Sequence, residues 1–136
     1  MPALGSDRDT KQRSGEIREL PVKGATVLYA GAMAAVNAAG LVVPMATALG
    51  LRGLGRVERR ADNSAGADGA LRARVGAGVY RFANSAAADQ ITAADIGNDC
   101  YGVDDQTVAK TNGANTRSVA GKIYDVDAQG VWVKFS

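Results

Sequence analysis

No histidine occurs anywhere in the 136 residues. The chain therefore lacks the usual general base near neutral pH, the commonest metal ligand and the base of a Ser or Cys triad. A single cysteine, Cys100, excludes an intrachain disulfide framework and a thiolate zinc site. With no histidine to activate it, Cys100 reads as a small buried apolar residue on a strand. Aromatic residues make up only 5% and prolines number three, so the core is expected to be thin and a Pro-rich tail is excluded. No apolar run is long and unbroken. Residues 26–51 come nearest, but Gly31, Asn37, Gly40, Pro44 and Gly50 interrupt them too often for a membrane span. The opening MPALGSDRDTKQRSGEIREL has no apolar h-region, so a signal peptide is not expected and the chain is expected to be soluble and made in the cytoplasm.

Hydrophobic residues amount to 46%, much of it Ala, and there are 17 glycines. That composition fits one domain with many tight turns. A thin core in a small domain points to burial completed by partner subunits. The net charge of +2 is unevenly spread. Residues 1–23 carry five basic and four acidic side chains, residues 24–81 seven Arg against three acids, and residues 82–136 four bases against seven Asp. A basic middle beside an acidic end suits charge-complementary packing between copies or against an acidic protein surface. A dedicated nucleic-acid binder would show a denser basic stripe with stacking aromatics.

The last third carries the clearest periodicity. Val131, Val133 and Phe135 alternate with Trp132 and Lys134, and Asp127-Ala128-Gln129-Gly130 has turn chemistry, so residues 118–135 read as a β-hairpin. Cys100-Tyr101-Gly102-Val103 and residues 108–110 read as further strands. Upstream, residues 1–19 are charged and aperiodic and form an arm, either a free terminus or a segment that orders against a neighbouring subunit. Residues 20–136 form the β-domain. Leu20-Pro21-Val22 opens it, with Pro21 suited to an edge strand. Residues 25–30 and 32–36 read as strands around Gly31, Asn37-Ala38-Ala39-Gly40 as a turn, and Leu41-Val42-Val43 as the returning strand. A helix over 30–39 competes, because Ala and Met are good helix formers.

Residues 51–60 read as a glycine-loosened strand with Arg56, Glu58 and Arg60 on one face, and ADNSAGADG (61–69) as an exposed polar loop. In residues 70–75, Leu71, Ala73 and Val75 alternate with Arg72 and Arg74, giving one buried and one basic face. Residues 78–82 are the next strand, 84–90 a small loop, and 91–96 a single helical turn with Thr92 as N-cap and Gly97 as its end. Some eight or nine short strands result: an all-β fold, a small β-sandwich or barrel-like domain with an extended N-terminal arm.

Candidate chemistry is sparse. Asp99, Asp104, Asp105, Asp125 and Asp127 sit mostly at turns, where Asp is favoured for backbone reasons; a calcium site and catalytic carboxylates are the alternatives, and the spacing matches no calcium-loop pattern. Glycine-rich pieces at 50–55 and 76–78 lack the GxxxxGK[ST] pattern and read as bulges and turns. The cluster Arg52, Arg56, Arg59, Arg60 is a solvated face, a contact for an acidic protein surface, or a nucleic-acid contact.

KGATVLYAGAMAAVNAAGLVVPM, DCYGVDDQTVAKTN and NTRSVAGKIYDVDAQGVWVKF resemble the small capsid decoration (cement) proteins of tailed bacteriophages, the Mu-like and related head structural proteins. The late pattern falls on Gly102-Val103, Thr107-Val108, Arg117, Ala120-Gly121, Val126-Asp127 and Gly130-Val131-Trp132-Val133. The similarity covers residues 23–135. It implies a non-enzymatic β-rich domain on the virion exterior, a homotrimer at threefold and quasi-threefold positions that clamps the major capsid protein. It implies no cofactor, no nucleic acid and no membrane as partners. No motif carries contact residues; the candidates for capsid contact are Arg8, Arg13 and Arg18 of the arm with Arg52, Arg56, Arg59 and Arg60. A tail- or fibre-associated β-module with receptor or carbohydrate contact is the second reading, and an aspartate-dependent hydrolase the third.

Overall fold

The computed structural model describes residues 3–13 and 15–135. Among these, twelve strands form two five-stranded antiparallel sheets and a two-stranded ribbon. The first sheet runs in the order β1 (Ile17–Pro21), β7 (Arg72–Gly76), β5 (Arg52–Val57), β3 (Met33–Val36), β4 (Val42–Pro44). The second runs β10 (Val108–Ala109), β9 (Asp99–Gly102), β11 (Val119–Asp127), β12 (Gly130–Phe135), β8 (Gly78–Phe82). The ribbon pairs β2 (Thr26–Leu28) with β6 (Ala61–Asn63). Two single 3-10 turns, at Ala87–Asp89 and Ala93–Asp95, are the helical content of the described residues.

Two cores lie between these layers. Met33 and Ala35 of β3 pack with Phe82, Cys100, Val108, Ile123, Val131, Val133 and Phe135 of the second sheet. Ala34 points the other way and joins Val42, Leu54, Val57, Ala73 and Val75 against Leu28 and Ala61 of the ribbon. Strand β3 is thus buried on both faces. A strand in that position must be apolar throughout rather than alternating, which is why Met33-Ala34-Ala35 also scans as a helix former. The hairpin reading holds over the helix because Asn37 closes the turn: its Oδ1 accepts from the N–H of Ala39 and of Leu41 at 3.0 Å.

The C-terminal hairpin matches its sequence pattern closely. Asp127 Oδ1 accepts from the N–H of Gln129 at 2.8 Å and of Gly130 at 3.0 Å, fixing the turn between β11 and β12. Thr92 caps the second 3-10 turn, its N–H donating to Asp95 Oδ2 at 2.8 Å. Cys100 is fully buried on β9, and burial pushes its thiol up to about 12, so it stays neutral.

Three expectations need correction. The first strand begins at Ile17, so Arg18 and Glu19 lie inside the first sheet and not in the arm. Within ADNSAGADG, Ala61–Asn63 is a strand, and Asn63 is only 2% exposed. Its amide nitrogen donates to the carbonyls of Val22, Lys23 and Ala67 at 3.2, 3.1 and 3.0 Å, so a polar side chain serves here as an internal tie. Twelve strands replace eight or nine because pieces as short as three residues gain a ladder from tertiary partners that local propensity does not reveal.

The edge strand β1 also explains Pro21. Hydrogen bonds of Val22 N–H to Leu71 O and of Ala77 N–H to Glu16 O set the β1–β7 phase, which turns Ile17, Glu19 and Pro21 toward the open edge. Pro21 places its missing donor on that edge, and the Arg72 guanidinium donates to Glu19 O at 3.1 Å. Both features blunt the edge.

Candidate functional site

Strand β5 carries the first half of the arginine cluster, and its geometry is set by a bulge. Ala34 pairs with Gly55 and Ala35 with Gly53, leaving Leu54 as one extra residue on β5. In a regular strand Arg52 and Arg56 would share a face, being four residues apart. The bulge reverses that. Arg56 lies opposite Met33, on the side of the second sheet, whereas Arg52 lies opposite Val36, on the ribbon side.

Each of the other three arginines meets a carboxylate. Arg56 Nη2 donates to Glu58 Oε2 at 2.9 Å, and its guanidinium lies 4.4 Å above the Tyr80 ring. Arg59 sits 4.0 Å from Glu19 of β1. Arg60 sits 4.0 Å from Asp62 and 5.3 Å from the Tyr29 ring centroid. Arg8 and Arg13 lie on the exposed extended stretch and Arg18 on β1. Among the described residues the seven candidates are therefore dispersed over the arm, an edge strand, two faces of β5 and the bend that follows it. Arg52, Arg59 and Arg60 are exposed, and the last two are held by loose surface pairs worth little in stability.

Burial, and next the Glu58 charge, raise the Tyr80 hydroxyl above its ordinary value of 10.0. Of the aspartates, Asp104 and Asp127 act as turn residues, whereas Asp99 lies in β9 and Asp125 in β11. Asp104 Oδ1 accepts from Gln106 N–H at 2.9 Å, Asp125 Oδ1 from Val126 N–H at 2.8 Å, and Asp99 pairs with Lys122 at 2.6 Å. Among the described residues, no group of three or more Asp, Glu, Cys or His side chains is placed to hold a metal ion.

A second cluster escapes the sequence. Trp132 Nε1 donates to Asp127 Oδ2 at 2.8 Å, and Arg81 lies 5.4 Å from the indole ring centroid and 3.9 Å from the same carboxylate. Trp132 and Arg81 are cross-strand neighbours on β12 and β8. Only the strand order brings them together, since fifty residues separate them in the chain. Between this pair and the Arg56–Tyr80 pair runs a groove of about 330 Å³, floored by Gly31 and Phe82.

The indole hydrogen bond, followed by that from Gln129 N–H, holds the Asp127 carboxyl below the ordinary 3.8. A lowered carboxylate value means that its stabilising contribution is present above the ordinary value and is lost as pH falls through the folded one. Trp132 is the sole tryptophan, so its fluorescence reads this carboxylate directly. We expect an emission change with a midpoint below pH 3.8 that Asp127→Asn abolishes. An acid titration of both proteins checks this, and an unchanged titration in the variant refutes it.

The fold and these surfaces define a small all-β sandwich domain with an exposed charged arm. No family model, no curated protein and no solved structure matches the chain.

Proposed function

We propose that the protein is a phage virion structural protein that binds the outside of the capsid as an oligomer, a trimer at threefold and quasi-threefold positions, and stabilises contacts between major capsid proteins. The observation that carries the reading is the N-terminal stretch. Residues 3–13 are exposed throughout and without regular secondary structure, and the chain then enters edge strand β1. Eleven residues with five charges have no use for the domain's own core, but they suit a segment that orders against a partner surface. The resemblance over residues 23–135 supplies the identity of that partner, and an all-β domain is what it implies.

The test follows from the observed strand boundary. Deleting residues 1–15 spares β1, whereas deletion through residue 19 would remove its first three residues, Ile17, Arg18 and Glu19. The shorter deletion is expected to melt like the full chain while losing most of its occupancy on assembled shells in a sedimentation pull-down. Reversing Arg59 and Arg60 to Glu is expected to weaken attachment at low salt and to matter less at high salt. Full occupancy by both variants would sink the reading.

A second reading, a tail- or fibre-associated module contacting a receptor or carbohydrate, draws on Tyr29 and Tyr124. They are 57% and 60% exposed. Exposed aromatic faces are the chemistry of sugar contact. Binding to host glycans without binding to shells would favour it.

A further inference from the structure

The chain has six asparagines, and a glycine follows only one of them, Asn112. Asn63 and Asn84 precede serine, but both are committed elsewhere. Asn63 is buried with its amide on three carbonyls, and Asn84 holds both the N–H and the C=O of Ile91. Asn112-Gly113 lies in the loop between β10 and β11, with Ala114, Asn115 and Thr116 exposed beside it. That loop is strained. Gly113, Ala114 and Asn115 have φ of +63°, +57° and +65°, three left-handed residues in succession where L residues settle singly. A Cβ at Gly113 would lie 2.7 Å from Thr116 Oγ1, so glycine suits the position by contact as well as by φ.

The groups around this peptide supply what ring closure on an asparagine needs. Gly113 N–H donates to Thr111 Oγ1 at 3.4 Å, and Thr111 Oγ1 donates in turn to Asp89 Oδ1 at 2.5 Å. A path for the amide proton thus runs from the backbone nitrogen to a carboxylate. Asp89 is fixed from the other side: Arg117 Nη1 lies 3.3 Å from its Oδ2, and Lys110 N–H donates to its carbonyl at 2.9 Å. Asn115 N–H donates to Asn112 Oδ1 at 3.3 Å, where negative charge develops when Cγ is attacked. Asn112 Nδ2 donates to Asn115 Oδ1 at 3.0 Å, which holds the leaving nitrogen. Bonds of this kind are commonly long at rest and tighten as charge develops.

We propose that Asn112-Gly113 is a self-modifying site that deamidates in the folded protein. Gly113 N attacks Asn112 Cγ and closes a succinimide ring. The proton lost from Gly113 N passes through Thr111 toward Asp89, and the side-chain nitrogen, having gained a proton, leaves as ammonia. Water then opens the ring. Addition at Cγ leaves an aspartate at position 112, and addition at the backbone carbonyl leaves an isoaspartate. Either product adds a negative charge to the acidic end of the chain. Isoaspartate also lengthens the backbone by a methylene, which draws Asn112 O away from the N–H groups of Thr116 and Arg117, both now at 3.0 Å. The left-handed turn then opens and Arg117 loosens from Asp89. The reaction marks the age of the molecule at one exposed loop, and it is independent of what the protein binds.

The experiment is incubation of the full chain at physiological temperature and neutral pH, beside the same chain unfolded in urea, followed by mass spectrometry of the tryptic peptide 111–117. Cuts after Lys110 and Arg117 isolate the site. The folded chain is expected to gain about 1 Da at residue 112, hydroxyl for amide, with Asn115 unchanged and at a rate no lower than that of the unfolded chain. Thr111→Val is expected to slow the reaction in the folded chain by roughly 10-fold or more, and Thr111→Ser to restore it. Asp89→Asn, which keeps the shape and removes the charge at the end of the path, is expected to slow it as well. None of the three is expected to change the rate in urea, where the path does not exist, and melting midpoints establish that each variant is folded. A folded chain that keeps Asn112 while the unfolded chain converts overturns the inference. So does conversion of folded Thr111→Val as fast as the parent.

Discussion

Gly53→Ala is expected to destabilise the domain by about 3 kcal/mol, the upper end for overpacking a well-fitted interior. A Cβ at Gly53 would lie 1.8 Å from Ala120 O and 2.6 Å from Ala120 C. Those are backbone atoms of β11, in the facing sheet, and they cannot rotate aside as a side-chain tip can. Packed sheets stand ~10 Å apart because side chains fill the space between them. At Gly53 the two backbones touch directly, and the flanking core of Met33, Ala35, Ile123 and Phe135 is fitted to that separation. One methyl group therefore pushes β5 from β11 and loosens packing on either side of the contact. The adjacent β5–β7 contact is equally close: Gly55 has φ +143°, and its Cβ would meet Gly76 O. With a urea m-value near 2 kcal/mol/M, the Gly53→Ala midpoint falls by about 1.5 M. Gly5→Ala, where a Cβ meets nothing within 4 Å, is the control and is expected to leave the midpoint unchanged. Equal midpoints for both variants would show that the sheets are not in contact at this point.

Asn63→Asp is expected to cost nearly as much, about 2–3 kcal/mol at neutral pH, although the two side chains have the same shape. The amide nitrogen is the only part of Asn63 that meets the carbonyls of Val22, Lys23 and Ala67. Val22 O retains a second donor, Gly69 N–H at 2.8 Å, and Ala67 O retains Ala70 N–H at 3.1 Å, so the principal loser is Lys23 O. An ionised carboxylate offers no donor and sets negative charge against three carbonyl oxygens at a site 2% exposed. Asn63→Ala removes the donor without adding charge and is expected to cost less. Chemical denaturation orders the three proteins, and amide exchange of residues 22–24 and 66–68 locates the damage, since loss of the tie frees those segments first. An Asp variant as stable as the parent would mean that the amide is not the tie.

The elements that were legible in the sequence share a cause. Gly130–Phe135 alternates, Asp127 and Gly130 supply a turn, and Asn37 with Gly40 closes another. These are signals contained within a few residues, and the backbone obeys them wherever the segment sits. The β7 strand likewise shows its buried Ala73 and Val75 between exposed Arg72 and Arg74, as its alternation implies. What failed is equally local in origin. Asn63 looks like loop chemistry because Asn competes with ladders for its own backbone, and two of its three acceptors come from residues 22 and 23, which no window around it includes. Arg56, Glu58 and Arg60 look like one face of a strand over 51–60, but β5 ends at Val57.

By itself the sequence determined the all-β class, the C-terminal hairpin, the turns, a buried neutral cysteine and a charged arm, because short-range periodicity and turn stereochemistry act before any long-range contact forms. Only the tertiary structure decided which strand lies beside which. Strand order is set by burial of whole faces, a property shared among distant segments. That order scattered the arginines among separate carboxylates, set Arg81 over Trp132, and pressed Gly53 against Ala120. It also brought Asp89 of one loop to Thr111 of another, beside Asn112 and Gly113.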